Sequence, residues 1–401
     1  MDHQVVVLDC GTGFTKLGFS GNVEPSDVFP TVMAYDESNA LMKTSSKQRP
    51  LDDLDFVIGH QALRNPTKTS TVAPLKHGMV ADWDNMERFW QQCIFRKLRC
   101  NPENHRFLLT EPPMNTPENR ERTAEVMFET FGVPGLYIGV QAVLALAGSF
   151  ASQGMTGQRL TGTVVDSGDG VTHVVPVVDG YVASSCVRSM PIAGASVTAQ
   201  VQKLLRERGE PIPPELSMEA AKQVKEQHCY VCSDVDKELR KAEQDPGKYN
   251  RQHTMVNPKT GKEFTFSVQS ERFLGLEVFF SQEDRQPMLP QVVDSAIQAC
   301  SIDTRRPLYS NIVLSGGSTM FKDFGRRMQR DVKQLLYSRT SLAAQEVNVN
   351  VVSHYNQRYA VWFGGSVLAS TPAFAGMCNT KADYEEYGPS ICRSNIVFKD
   401  I

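Results

Sequence analysis

Asp9 and Asp166 are the residues from which chemistry is most readily built in this 401-residue sequence. Each closes an apolar, β-branched run, Val5-Val6-Val7-Leu8 before Asp9 and Gly162-Thr163-Val164-Val165 before Asp166. Each then opens a glycine turn, Gly11-Thr12-Gly13 in one case and Ser167-Gly168-Asp169-Gly170 in the other. A second apolar strand follows each turn, carrying Lys16 in the first copy and His173 in the second. Turn glycines let the backbone approach a ligand closely, and successive loop N–H groups can converge on phosphate oxygens. Lys16 adds positive charge. A carboxylate facing a polyphosphate is repelled by it, so aspartates at these positions imply an intervening hard cation such as Mg²⁺ or Ca²⁺, held through water. Either turn by itself serves equally well as the tip of a surface hairpin. It is the repetition of strand, aspartate, glycine turn and strand that favours two similar α/β halves clamping one polyphosphate.

A third glycine turn, Ser315-Gly316-Gly317-Ser318-Thr319-Met320, follows the apolar run Ile312-Val313-Leu314. It leads into a helix expected to place Phe321, Phe324, Met328, Val332 and Leu335 on its inner face. Strand, double glycine and helix start allow backbone to lie against a nucleoside, although a plain strand-to-helix turn has the same pattern. The lone Cys229-x-x-Cys232 has no second pair to complete a zinc site, so core packing is its expected role. Nine scattered cysteines, an odd number without framework spacing, suit a reducing compartment.

These turns need elements to position them. Asp82 before Trp83, and Thr116-Pro117-Glu118, read as helix starts, the first helix burying Met86, Phe89, Trp90 and Cys93, the second Ala124, Met127, Phe128 and Phe131 before Gly132 ends it. Phe107 to Thr110 reads as a buried strand, and Leu136 to Val140 as a strand running into a helix from Gln141. Tyr35 to Pro50 is polar and reads as a loop, as does the segment from Asp245 to Lys262. Residues 200 to 242 read as largely helical, and Gln291 to Cys300 as an amphipathic helix. With 42 basic and 45 acidic residues the net charge is −3, which argues against nucleic-acid or anionic-membrane binding. The apolar stretch Leu136 to Ala151 contains Gln141 and falls short of the roughly 20 residues of a membrane helix, so it is expected inside the protein. A soluble, cytoplasmic protein is expected.

The order Asp9-Cys10-Gly11-Thr12-Gly13, Gln141-Ala142-Val143-Leu144, Asp166-Ser167-Gly168-Asp169-Gly170-Val171-Thr172-His173 and Ser315-Gly316-Gly317-Ser318-Thr319-Met320 resembles the actin superfamily, over residues 5 to 393. Further stretches, Leu160 to Val164, Asp303 to Tyr309, Phe321 to Arg327 and Asp383 to Arg393, place the likeness among the actin-related proteins. The resemblance implies an actin-like ATPase fold: two similar α/β domains, four subdomains in all, around a nucleotide cleft. The outer domain is expected over residues 1–145 plus 366–401, with a small insertion at about 31–74. The inner domain is expected over 146–365, with an insertion at about 195–275.

The resemblance also implies ATP or ADP with Mg²⁺ or Ca²⁺ as cofactors. Asp9 and Asp166 would hold the hydrated metal. Gly11, Thr12, Gly13, Phe14, Lys16, Gly168, Asp169, Gly170 and Gly194 would line the phosphates. Lys225, Glu226, Gly316, Gly317, Ser318, Met320, Phe321 and Arg358 would meet the nucleoside, and Gln141 and His173 would position water. Read without the family motif, His173 is a buried strand histidine, Lys225-Glu226 a solvated helix pair and Gln141 a strand-end cap. The segments Gln141 to Ser149 and Arg358 to Gly365 would act as the hinge. Two departures stand out: Ala195-Ser196 follows Ile192-Ala193-Gly194 where the family has an arginine and an acid, and Asn39 to Pro50 does not match the subunit-contacting loop of actin.

The implied function is that of an ATP-binding subunit of the actin-related protein 2/3 complex, a template for branched filaments in the cytoskeleton. Its expected partners are actin-related protein 2 and the other subunits, actin, and nucleation-promoting factors. A conventional polymerising actin-like ATPase is the alternative, and a sugar kinase of related fold lacks an evident second-substrate motif. The sequence leaves ATP turnover open, at most as a slow step serving a conformational switch.

Overall fold

The structure, a computed structural model, describes residues 4–36, 56–63, 69–155, 159–258, 260–282, 286–339 and 347–399. The chain forms two compact units. One comprises Met1–Leu160, Val177–Ser184 and His354–Asp400, and the other Thr161–Pro176, Ser185–Ser353 and Ile401.

The first unit is built on a six-stranded sheet in the order Asn379–Thr380, Gly135–Val140, Phe107–Glu111, Val6–Cys10, Phe14–Phe19, Asp27–Pro30. The three central strands run parallel, which explains their continuous apolar runs: strands covered on both faces bury most of their residues. Val6, Val7, Phe107, Leu108 and Leu136 are fully buried. Helix Trp83–Gln92 starts where the Asp82 side chain accepts the Asn85 N–H, and buries Met86, Phe89 and Trp90. Helix Pro117–Glu125 starts where the Thr116 hydroxyl accepts from Asn119 N–H, with proline in its first turn. The chain leaves this region through Gly132 at a φ of 63°.

Helix Gln141–Ser152 packs directly on helix Ala360–Ala369. A Cβ on Gly148 would lie 2.6 Å from the Ala360 carbonyl oxygen, and one on Gly364 would overlap the Leu144 carbonyl. Only glycine lets these two backbones approach so closely. Near the chain's end, helix Lys381–Tyr387 buries Tyr384, whose ring stacks on Phe128. Strand Phe398–Lys399 runs parallel to Tyr181–Ala183.

In the second unit, strands Val351–Val352, Ile312–Ser315, Gly162–Ser167 and Thr172–Val178 are neighbours in that order, with Arg188–Met190 also paired to Thr172–Val178. Helices Gly194–Glu207, Ser217–His228, Val235–Gln244 and Leu289–Ala299 accord with the helical readings. Two expectations change. Helix Phe324–Ser338 buries Phe324, Met328, Val332 and Leu336, a strict i, i+4 stripe, so Leu336 rather than Leu335 faces inward and Phe321 precedes the helix. The polar segment read as a loop holds strand Arg251–Val256, which forms a hairpin with Glu263–Val268. Its inward face is His253 and Met255, and a histidine in a buried position hides the alternation from a hydropathy reading. Tyr35 itself ends in strand Met33–Asp36, whereas the loop Asn39 to Pro50 lies outside the described residues.

Cys229 and Cys232 lie in the second unit. Their thiols donate to the Glu271 carbonyl and the Glu277 carboxylate, and burial pushes both up to about 12. Among the described residues, no helix is long and apolar enough to cross a membrane.

Candidate functional site

In the first unit the turn after Asp9 is closed by the Gly11 N–H donating to the Phe14 carbonyl at 3.1 Å. The strands on either side pair so that Asp9 stands opposite Lys16. Cross-strand neighbours share a face of the sheet, and here the Lys16 ammonium donates to Asp9 Oδ2 at 2.8 Å. Asp9 is 2 % exposed, so this pair is shielded from solvent on the carboxylate side. The other oxygen, Oδ1, accepts the Thr110 hydroxyl at 2.7 Å. Gln141, first residue of its helix, extends Nε2 to Thr110 Oγ1 at 3.4 Å. Thr12 Oγ1 accepts the Gly78 N–H at 2.7 Å, and the Gly13 carbonyl accepts from Thr31 N–H, so both sides of the turn are anchored. The exposed Arg358 lays its guanidinium over the Phe14 ring at 5.9 Å. Cys10 is held as the thiol, pushed up to about 12 by burial, and is no nucleophile.

In the second unit the turn after Asp166 is closed by the same bond: the Gly168 N–H donates to the Val171 carbonyl at 3.3 Å. Two distant segments hold that turn. The Gly194 N–H reaches the Gly168 carbonyl at 3.1 Å, the Ala195 N–H reaches the Asp169 carbonyl at 2.9 Å, and the Ser318 hydroxyl donates to the Gly168 carbonyl at 2.6 Å. Lys225, only 8 % exposed, donates its ammonium to the Gly194 carbonyl at 3.1 Å. Burial pulls the Lys225 pKa down, and the nearby Asp169 carboxylate opposes that pull. Gly194 and Gly316 have no room for a side chain. A Cβ on Gly194 would meet Ser318 Oγ at 2.8 Å, and one on Gly316, whose φ is 88°, would overlap the Ser167 carbonyl.

His173 lies on strand Thr172–Val178, 6 % exposed, and among the described residues neither ring nitrogen has a hydrogen-bond partner. Burial pushes its pKa down to about 4, so at neutral pH the ring is uncharged, with one donor and one acceptor. Ser315, opposite Asp166 in the parallel register, also has a buried hydroxyl with no hydrogen-bond partner among the described residues. Glu226, Gly317 and Met320 are exposed, and Phe321 is half-buried.

The structure thus gathers Asp9, Gly11, Thr12, Gly13, Phe14, Lys16, Gln141 and Arg358 in one unit. It gathers Asp166, Gly168, Asp169, Gly194, Lys225, Gly316 and Ser318 in the other, with Gly170 in the same turn. Sequence reasoning passed over Thr110 and Ser315, one on the strand beside each aspartate. The available signal was a hydroxyl at the carboxyl end of an otherwise apolar run. Each unit by itself offers groups that suit a phosphate or a hydrated cation: Asp9 with Lys16 in the first, and in the second Asp166, Asp169 and Lys225, with the buried His173 imidazole and Ser315 hydroxyl lacking hydrogen-bond partners among the described residues. Open space adjoins Gly168 and Gly317, where an added Cβ would meet nothing within 4 Å.

Comparison with known proteins agrees. The model of the actin family matches residues 1–259 and 216–396. The chain is 55 % identical over 407 residues to actin-related protein 3 of Drosophila melanogaster, covering 98 % of this chain and 97 % of that protein. It is 52 % identical over 409 residues to actin-related protein 3 of Dictyostelium discoideum, covering 99 % and 98 %.

Proposed function

The chain belongs to the actin family, and from that premise we propose that it is the ATP-binding actin-related subunit of the actin-related protein 2/3 complex. In that role it templates the nucleation of branched actin filaments. The observation that carries this reading is identity above one half, over nearly the whole chain, to actin-related protein 3 from two organisms. The same observation disfavours a conventional polymerising actin. Partners under this reading are actin-related protein 2, the remaining subunits, actin and nucleation-promoting factors, and the setting is the cytoplasmic cytoskeleton.

The glycine turn after Asp9 and the glycine turn after Asp166 would each be a contact for metal–ATP. Asp9 and Asp166 are the carboxylates that would hold a hydrated cation, and Lys16 would offset charge on the phosphate oxygens. A bound cation supplies charge neutralisation at those oxygens. The turn at Gly168, tied down by Gly194, Ala195 and Ser318, presents its backbone without reorganising. Lys225, Gly316 and Ser318 back the nucleoside side, while Gln141 and the uncharged His173 orient water. Nucleotide occupancy acts as a switch on assembly more than as steady turnover.

Native purification from source cells, followed by mass spectrometry of subunits and bound nucleotide, tests this function. Companion subunits and stoichiometric ATP or ADP are expected. Recovery of the chain alone, or its sedimentation as filaments under polymerising salt, overturns the assignment.

A further inference from the structure

Thr110 sits where two supposed functions meet. Strand Phe107–Glu111 runs parallel to Val6–Cys10 with Leu109 opposite Leu8, so Thr110 and Asp9 come next to each other at the carboxyl ends of adjacent strands. On its other side the strand pairs with Gly135–Val140, placing Thr110 opposite Gly139, just before Gln141. A threonine hydroxyl has one hydrogen and two lone pairs. That hydrogen goes to Asp9 Oδ1 at 2.7 Å, a short, charge-assisted bond. Toward Gln141 the oxygen can therefore only accept, and the group facing it is Nε2 at 3.4 Å.

This fixes the Gln141 amide. With Nε2 directed at Thr110, the carbonyl Oε1 is the end left to meet a water. Water attacking phosphorus must keep a lone pair forward and give an O–H to an acceptor. Oε1 is such an acceptor, whereas a flipped amide would donate to the lone pair that has to attack. Lys16 on Oδ2 removes the other carboxylate oxygen as a competing partner for Thr110.

Resting on the metal–ATP reading above, we propose that Thr110 is a positioning residue that couples the metal-bearing carboxylate of Asp9 to the water-orienting amide of Gln141. It does so without touching nucleotide itself. Neither neighbour can be replaced without loosening the other through the shared hydroxyl.

The test uses the full chain in its native complex, with Mg²⁺ and ATP as probes. Thr110→Val removes the hydroxyl and keeps the shape, and Thr110→Ser restores it. Loss of one hydrogen bond to a charged group predicts about a tenfold rise in the Mg²⁺ concentration for half-maximal ATP retention in Thr110→Val, reversed in Thr110→Ser. In single-turnover phosphate release, Thr110→Val should slow the step about as much as Gln141→Ala, and the double variant should be no slower than either alone. Wild-type Mg²⁺ dependence in Thr110→Val, or failure of Thr110→Ser to recover, overturns the proposal while ATP retention by the wild-type complex leaves the parent reading standing. A wild-type complex that retains no ATP overturns both. If the wild type holds ATP without cleaving it, the Mg²⁺ titration decides alone.

Discussion

The two glycine turns share one backbone and differ in what supports it. Each closes with a bond from the residue two beyond its aspartate to the carbonyl three further on, Gly11 to Phe14 and Gly168 to Val171. Around the first, the supports are mostly side chains: the Lys16 ammonium and Thr110 hydroxyl on Asp9, and the Thr12 hydroxyl on Gly78, beside one main-chain bond from Thr31 N–H to the Gly13 carbonyl. Around the second, the supports are mostly main chain, with Gly194 and Ala195 N–H groups and Ser318 gripping the turn's carbonyls. The strand beside each aspartate contributes a hydroxyl, but Thr110 is engaged and Ser315 is not. Charge-assisted bonds to an ionised carboxylate respond to a cation arriving beside it more strongly than bonds between neutral amides and carbonyls do. The first turn is thus equipped to sense charge and the second to hold shape.

The largest effect should come from driving a side chain of the third glycine turn into the second. Gly316 has φ 88° and ψ 156°, a conformation open essentially to glycine alone, and an added Cβ overlaps the Ser167 carbonyl. Gly316→Ala should destabilise the fold by about 3 kcal/mol or more, the strain and the clash acting together. Its neighbour is the control: a Cβ on Gly317 meets nothing within 4 Å, and Gly317→Ala should shift stability by less than about 0.5 kcal/mol. Denaturant unfolding of the two variants checks both, and equal effects would show that the Gly316 backbone does not pack closely against Ser167.

Next in size, Asp9→Ala and Asp166→Ala should each weaken Mg²⁺–ATP binding by about tenfold or more, read by calorimetry. Unchanged affinity in both variants refutes the pairing of the two turns on one metal. If the first turn is the charge sensor, Asp9→Ala should also flatten the Mg²⁺ dependence more than Asp166→Ala does.

The most gradual effect is a pH dependence that His173, on the strand after the second turn, shares with other buried histidines. Burial holds His173 at about 4, against 6.5 for an ordinary histidine, so the unfolded chain binds its proton first as pH falls. Its stabilising contribution is complete above about pH 6.5 and declines toward pH 4, with a slope of at most about 1.4 kcal/mol per pH unit. His228, His253 and His354 are also pushed down by burial and add to the same acid loss. His173→Gln should therefore make the stability–pH curve shallower between those limits without flattening it, and an unchanged curve would show that the ring is solvated after all.

Much of this was legible beforehand because it is local. A β-branched run ending in aspartate and glycine specifies a strand and a turn, and Thr116-Pro117 specifies a helix start, whatever surrounds them. The hairpin at 251–268 was not legible, since His253 and Met255 reveal an inward face only once something covers it. Adjacent Lys225 and Glu226 are equal candidates for a solvated pair on a helix. In the fold one is buried on the Gly194 carbonyl and the other is exposed.

The sequence by itself determined the two aspartate turns, their repetition, the family and the positions of most helices and strands, because those depend on residues within a few places of one another. Only the tertiary structure decided that Thr110 meets Asp9, that Ser318 and Gly194 seize the Gly168 carbonyl, and that His173 is stripped of partners. Each of those facts depends on strands and helices remote in sequence arriving side by side. Desolvation then assigns charge and hydrogen bonds by neighbourhood, which no single stretch of chain encodes.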